Sequence, residues 1–205
     1  MPLQFWFEFG STYSYPAAMR IDKEAAARGV EVEWRPFLLG PLFKAQQGLK
    51  DSPFNVYPTK GVYMWRDMER ICEKHGIAFN RPHRFPQNGL LAARLTLALP
   101  QSQRPAFVKA VYQANFVYDR DISDVQILHA ALRRAGLEPY EMLEALHSEE
   151  LKEKLREETE TAADLGLFGA PSFVCPDGEV FWGNDRLEDA LDWRRYGTLR
   201  PKQTS

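Results

Sequence analysis

Apolar and polar positions alternate from Leu3 to Phe9, with Phe5, Phe7 and Phe9 on one side and Gln4, Trp6 and Glu8 on the other, the period of a β-strand. The period then changes. Ala17, Ala18, Ile21 and Ala25 recur at helical spacing, and the run closes at Gly29, a residue suited to the left-handed position past a helix. Pro16 falls in the first turns, so either Ser11 or Ser14 caps this helix and the pattern does not choose between them. Val30, Val32 and Trp34 alternate with Glu31, Glu33 and Arg35, predicting a second strand that ends near Pro36 and completes a β-α-β unit.

The far end of the chain reads as clearly. The runs SFVC and EVFW are joined by Pro176-Asp177-Gly178, which predicts a hairpin. Asn184 or Asp185 then opens a last helix, with Glu188 at capping-box distance from Asp185, Leu187 and Leu191 facing inward, and Gly197 as the stop. Between the two ends the pattern is helical. Met64, Met68, Ile71 and Cys72 form one stripe before Gly76, Leu90 to Leu99 stops at Pro100, Phe107 and Val111 share a face, and further helices follow Ser123, Pro139 and Ser148. The Glu/Lys run from Glu149 to Glu160 is the solvated side of one of them. This order predicts an α/β thioredoxin fold in which residues 1–45 and 166–205 form one discontinuous domain and residues 46–165 an all-helical insertion.

Length and charge narrow the partners. A chain of 205 residues suits one domain with an insertion or two small domains, and both stay open. A net charge of -2 with interspersed signs offers no basic stripe for nucleic acid or an anionic membrane, so a small molecule or a protein is the expected partner. Glu8 interrupts the early apolar run and no basic n-region precedes it, so neither a signal peptide nor a membrane span is read, and the cytoplasm is the expected location. Cys72 and Cys175 form no C-x-x-C and are expected as buried small hydrophobes. His75, His83, His129 and His147 lack metal-ligand spacing, so no metal site is expected, and the tail after Pro201 is expected to fray.

The candidate chemistry lies at the first strand-to-helix loop. GSTYSYP has the outline of a redox loop, with Ser11 and Ser14 where Cys-x-x-Cys would place its sulfurs. A helix N-terminus favours an anion, and a serine hydroxyl there can donate to a thiolate brought in by a ligand. Ser11 serves equally well as a plain helix cap that needs no ligand. In GAPSFV, Ala170 and Pro171 precede a strand, and a cis bond before Pro171 would suit antiparallel pairing with an extended, peptide-like ligand; a simple loop-to-strand entry is the alternative. In FWGNDRLED, Asn184 and Asp185 put an amide and a carboxylate at a helix start, able to cap it, or to hold a γ-glutamyl head with its ammonium on Asp185 and its carboxylate on the helix N–H groups.

FWFEFGSTYSYPA, NVYPTKGVYMWRDMERICEKHGI, GAPSFV and FWGNDRLEDAL together resemble, across nearly the whole chain, the 2-hydroxychromene-2-carboxylate isomerases and their kappa-class glutathione transferase relatives in the DsbA-like thioredoxin superfamily. The resemblance implies a glutathione-dependent cis-trans isomerase of aromatic catabolism, with Ser11 holding the glutathione thiolate. Ala170 beside Pro171 would pair with the cysteinyl backbone. Trp182, Asn184 and Asp185 match the run that would hold the γ-glutamyl end. Lys44, Asn55, Lys60, Arg84 and Phe85 fall near positions that would contact a small aromatic carboxylate substrate. A homodimer is implied as well. The family often has proline after the serine, where this chain has Thr12. Two alternatives accompany this expectation, a kappa-class transferase or peroxidase and a non-catalytic thioredoxin-like peptide binder or chaperone.

Overall fold

The computed structural model describes residues 1–48, 50–138 and 145–199. Four strands make a mixed sheet in the order β2-β1-β3-β4, from β1 (Leu3–Phe7), β2 (Val32–Pro36), β3 (Ser172–Val174) and β4 (Val180–Trp182). β1 runs parallel to β2 and antiparallel to β3, and β3 pairs antiparallel with β4. The right-hand half of this order is the hairpin expected from Pro176-Asp177-Gly178. α1 (Ser14–Arg28) crosses from β1 to β2 and ends at Gly29, whose φ of 62° satisfies the left-handed position.

Besides a 3-10 turn at Ala145–His147, seven α-helices follow β2 among the described residues before β3 begins. They are α2 (Leu39–Gln47), α3 (Pro53–Val56), α4 (Pro58–His75), α5 (Leu90–Ala98), α6 (Arg104–Phe116), α7 (Val125–Arg134) and α8 (Glu149–Asp164). α9 (Leu187–Tyr196) closes the chain after a short 3-10 turn, Asn184–Arg186. The helix expected after Pro139 and the tail after Pro201 lie outside the described residues. Ser148 caps α8 by accepting the Leu151 N–H, and the acidic and basic side chains of that helix pair with one another on its outer face while Leu151, Leu155 and Ala162 are buried. α7 is capped by Asp124 rather than by Ser123, whose hydroxyl is drawn instead to the Asp121 carboxylate.

Both faces of the sheet are covered, which explains why Trp6 is buried although it lies opposite the three phenylalanines. Phe5 and Phe7 face the larger core with Trp34, Phe173, Tyr112 and residues of α1, α4, α6 and α9. Trp6 faces a second core with Phe37, Leu42, Ala162, Leu167, Ala170 and Val174, under α2 and α8. The register places Phe5 between Trp34 and Phe173, with ring centroids 4.9 Å and 5.4 Å away. Cross-strand aromatic contacts of this kind tie three strands together through one side chain.

One capping expectation fails. Glu188 does not reach back to the start of α9, and Arg186 at that position makes no side-chain cap bond. The buried guanidinium of Arg20 on α1 takes the Glu188 carboxylate instead, because a buried cation needs an anion more than an exposed helix end needs a cap. No helix among the described residues is long and apolar enough to cross a membrane.

Truncating Phe5 removes the ring shared by the three strands. Phe5→Ala is expected to cost about 3–5 kcal/mol of stability, read as a lower urea midpoint at unchanged m-value. A loss below about 1 kcal/mol would contradict this placement of the core.

Candidate functional site

The loop from Glu8 to Tyr13 is built from the backbone outward. The Glu8 carbonyl accepts the Ser11 N–H at 3.1 Å and the Tyr112 phenol at 2.9 Å. Thr12 donates its hydroxyl to Met64 Sδ at 3.1 Å, and the Tyr13 phenol donates to Asp67 at 3.0 Å, so both residues are held by α4. Burial, and then the Asp67 charge, push the Tyr13 phenol well above its ordinary range.

Ser11 sits where this loop meets the other end of the fold. Its Oγ accepts the N–H of Ser14, the first residue of α1, at 3.3 Å, and its hydroxyl donates to the Ala170 carbonyl at 2.9 Å. Of the two serines, Ser11 therefore serves the helix start, while Ser14 is wholly buried beside Tyr112. The peptide bond between Ala170 and Pro171 is cis, as the site reading required. A hydroxyl carries one proton and two lone pairs, so Oγ can keep the Ser14 amide while its proton swings from the carbonyl to another acceptor. Among the described residues the N–H groups of Thr12, Tyr13 and Ala170 find no protein acceptor. Those three donors and one hydroxyl suit an anion with a peptide-like backbone beside it.

The chain has no thiolate of its own to place there. Cys72 lies on α4 and Cys175 just past β3; both are buried, and burial pushes their thiols up to about 12 and about 11. Neither ionises near neutral pH.

The residues at the start of α9 divide into an inner and an outer one. Asn184 is buried, and its Oδ1 accepts from Arg20 at 3.2 Å, in the same cluster as Glu188. Asp185 points outward, and its ionic partner among the described residues is the distant Arg186 guanidinium at 3.9 Å. Trp182 is exposed on β4 and stacks edge-on against exposed Phe168, two residues before Ala170, at 4.8 Å.

Among the substrate-side candidates, the structure brings Asn55 and Phe85 together. The Asn55 amide donates to the Phe85 carbonyl at 3.3 Å and to Asp51 at 3.0 Å, and Phe85 packs on Trp65. The segment that follows, Pro86-Gln87, lies directly against Gly10. Asn55 also lines a surface cavity of about 520 Å³ with Phe54, Val62, Trp65 and Arg81. Lys44 on α2 and Lys60 on α4 are both exposed, the Lys60 ammonium resting 5.1 Å from the Tyr57 ring centre. Arg84 is exposed and ion-paired with Asp121 at 2.9 Å.

Two residues at the site escaped the sequence reading. Arg20 sits directly before Ile21 on the apolar stripe of α1, and that unexpected charge was the available signal. Glu8, an acid at the end of a strand three residues before Ser11, was read as a polar-side strand residue and an interruption of an apolar run, not as part of a site.

The sheet order and the crossing helix are those of a thioredoxin fold, with the Ser11 hydroxyl at the start of α1 facing the loop before cis Pro171. The profile of the DSBA-like thioredoxin domain matches residues 2–192. The chain is 30% identical over 186 residues, 91% of this chain and 94% of the other, to 2-hydroxychromene-2-carboxylate isomerase of Sphingobium xenophagum. It is 25% identical over 200 residues, covering 91% and 87%, to glutathione S-transferase kappa 1 of Homo sapiens. A solved structure of a 2-hydroxychromene-2-carboxylate isomerase superposes with a TM-score of 0.82 at 24% identity, covering 91% of each chain. The chain belongs to the DsbA-like thioredoxin family, within its 2-hydroxychromene-2-carboxylate isomerase group.

Removing the guanidinium that joins α1 to the start of α9 leaves Asn184 and Glu188 without their shared partner. Arg20→Met is expected to lower stability by about 1–3 kcal/mol, measured by urea unfolding; an unchanged midpoint would show that the cluster does not hold the two elements together.

Proposed function

We propose that the protein is a glutathione-dependent isomerase acting on an unsaturated aromatic-derived carboxylate of the 2-hydroxychromene-2-carboxylate type. The observation that carries this reading is the Ser11 hydroxyl, placed at the start of α1 and against Ala170 beside cis Pro171, in a chain whose own thiols are buried and protonated. The relatives named above, an isomerase and a glutathione transferase, support it.

Glutathione would supply the nucleophilic thiolate. Ser11 is the residue to hold that sulfur: its hydroxyl proton turns from the Ala170 carbonyl to the anion, and the field of the α1 N-terminus lowers the cost of the charge. The Ala170 N–H is left for the cysteinyl backbone in antiparallel fashion. Asp185, pointing outward, is the partner for an ammonium. Asn184, engaged inward by Arg20, orients the turn that presents Asp185 rather than offering its own side-chain oxygen to a ligand. On the substrate side, Asn55 and Phe85 line the approach through their contact with the segment beside Gly10, and Lys44 and Lys60 are the cations available to a carboxylate. A homodimer remains part of the proposal through the family resemblance, and the cytoplasm remains its proposed location.

Ser11→Ala is expected to fold with a loss of about 1 kcal/mol, to raise the pKa of the bound glutathione thiol by one unit or more, roughly 1.4 kcal/mol, and to cut turnover at least tenfold. Thiolate absorbance near 240 nm against pH, in an order-of-magnitude excess of ligand, reads the shift; an unmoved titration would remove Ser11 from the chemistry.

For Asp185→Ala the expected defect is glutathione affinity, about tenfold weaker by calorimetry, equivalent to about 1.4 kcal/mol, with stability unchanged. Product analysis with a hydroxychromene acid separates isomerisation from conjugation, since only the latter leaves glutathione on the product.

A further inference from the structure

Three residues before Ser11 a carboxylic acid is packed inside the loop that carries it. Glu8 Oε2 lies 3.1 Å from where a side chain on Gly10 would begin, and Oε1 lies 3.5 Å from the same position on Gly89, which opens α5. Any side chain at Gly10 would also meet the Gln87 carbonyl at 3.0 Å, and one at Gly89 would meet Phe9 Cβ at 2.6 Å. Glycine at both positions therefore leaves a slot between the two loops that the Glu8 carboxyl fills. The amides of Gly10 and Ser11 face that carboxyl, while the Glu8 main-chain carbonyl takes the Ser11 N–H and the Tyr112 phenol.

We propose that Glu8 is a positioning residue, clamping the Gly10-Ser11 turn through its carboxyl group so that the Ser11 hydroxyl is aimed, and that its charge opposes the thiolate held on that hydroxyl. The second half rests on the reading of Ser11 as the thiolate seat. Loss of a proton from Glu8 places a negative charge beside the amides of Gly10 and Ser11, inside a packed loop where Coulomb interactions are stronger than in water. Two anions so placed cannot both form without cost, and each raises the proton affinity of the other.

The surroundings support such a coupling near neutral pH. Burial pushes the Glu8 carboxyl from its ordinary 4.5 up to about 7, against the amides of Gly10 and Ser11, which pull it down. The titratable group facing it from α6 is the Tyr112 phenol, itself pushed well above its ordinary range by burial and by the Glu8 charge. Among the described residues no lysine, arginine or histidine forms an ion pair with Glu8. α5 presents the uncharged Gly89 at its start. Because the fold holds this proton up to about 7 while the unfolded chain releases it near 4.5, folded-state stability from this group is fully present below about 4.5 and lost as pH rises through about 7.

The parent protein tests this without mutation. With ¹³C-carboxyl-labelled glutamate, the Glu8 signal is assigned by its absence from Glu8→Gln, or by paramagnetic broadening should that variant not fold. It is expected to titrate near 7 and to move up by about one unit when glutathione saturates the protein, a tenfold coupling that must appear equally on the thiol. An unmoved midpoint in a protein that binds glutathione overturns the inference alone. A parent that binds no glutathione at any pH defeats both the functional reading and the coupling.

Glu8→Gln keeps the shape of the neutral acid, so its glutathione affinity relative to the parent is expected to rise from about one at pH 6 to about tenfold at pH 8.5, whereas Glu8→Asp keeps the pH dependence of the parent. A ratio that stays flat across this range excludes the charge coupling. Urea unfolding without glutathione completes the test: the parent loses stability relative to Glu8→Gln between pH 5 and pH 8, and parallel curves would show that Glu8 is not the buried acid described.

Discussion

The hydrogen bond from the Ser11 hydroxyl to the Ala170 carbonyl joins two loops that lie 159 residues apart in the chain. Much of the surrounding structure brings those loops to that distance. β1 and β3 pair antiparallel, with Trp6 opposite Ser172, so the loop leaving β1 and the loop entering β3 emerge at the same end of the sheet. Phe5, stacked on Phe173 and edge-on to Trp34, holds the two strands in that register. A one-residue slip would turn Phe5 out of the larger core and Trp6 into it, so burial on both faces fixes the meeting point of the loops.

The helices between β2 and β3 then shape the loop from its other side. α4 takes the Thr12 hydroxyl on Met64 and the Tyr13 phenol on Asp67, and Pro86-Gln87 closes over Gly10. These contacts consume side chains and, among the described residues, leave main-chain donors at Thr12 and Tyr13 without acceptors, a combination that favours a ligand anion over a protein one. The cysteines contribute to the same outcome by being unavailable. Held protonated in the core, they offer no thiolate to the loop at Ser11.

At the other end of the site, polarity is divided by burial. Arg20 draws Asn184 and Glu188 inward and leaves Asp185 facing solvent. A buried guanidinium without partners is far more costly than an exposed carboxylate, so Arg20 takes Asn184 and Glu188 while Asp185 stays outside. Glu8 follows the opposite logic: the residue is half-buried, its carboxyl is packed between Gly10 and Gly89, no cation is ion-paired with it among the described residues, and its proton becomes the means of neutralising it.

The linear pattern was sufficient for the strands, the first and last helices, the hairpin and the family, because alternation, helical spacing and turn residues are local properties that survive into the fold. As candidates, Ser11, Ala170 and Pro171 stood out for the same reason, each in a short motif beside a strand or helix end, and the fold brings them into contact. What only tertiary packing decided is which partner each polar group finds. Ser11 rather than Ser14 serves the helix because Ser14 is turned into the core beside Tyr112; Glu188 leaves its capping position because Arg20 is buried against it; Trp6 is interior because α2 and α8 cover the second face of the sheet. The two glycines that make room for Glu8 are 79 positions apart, Gly10 and Gly89, and no periodicity in the chain links them. Burial and desolvation act on the assembled molecule, so the protonation of that acid belongs to the fold alone.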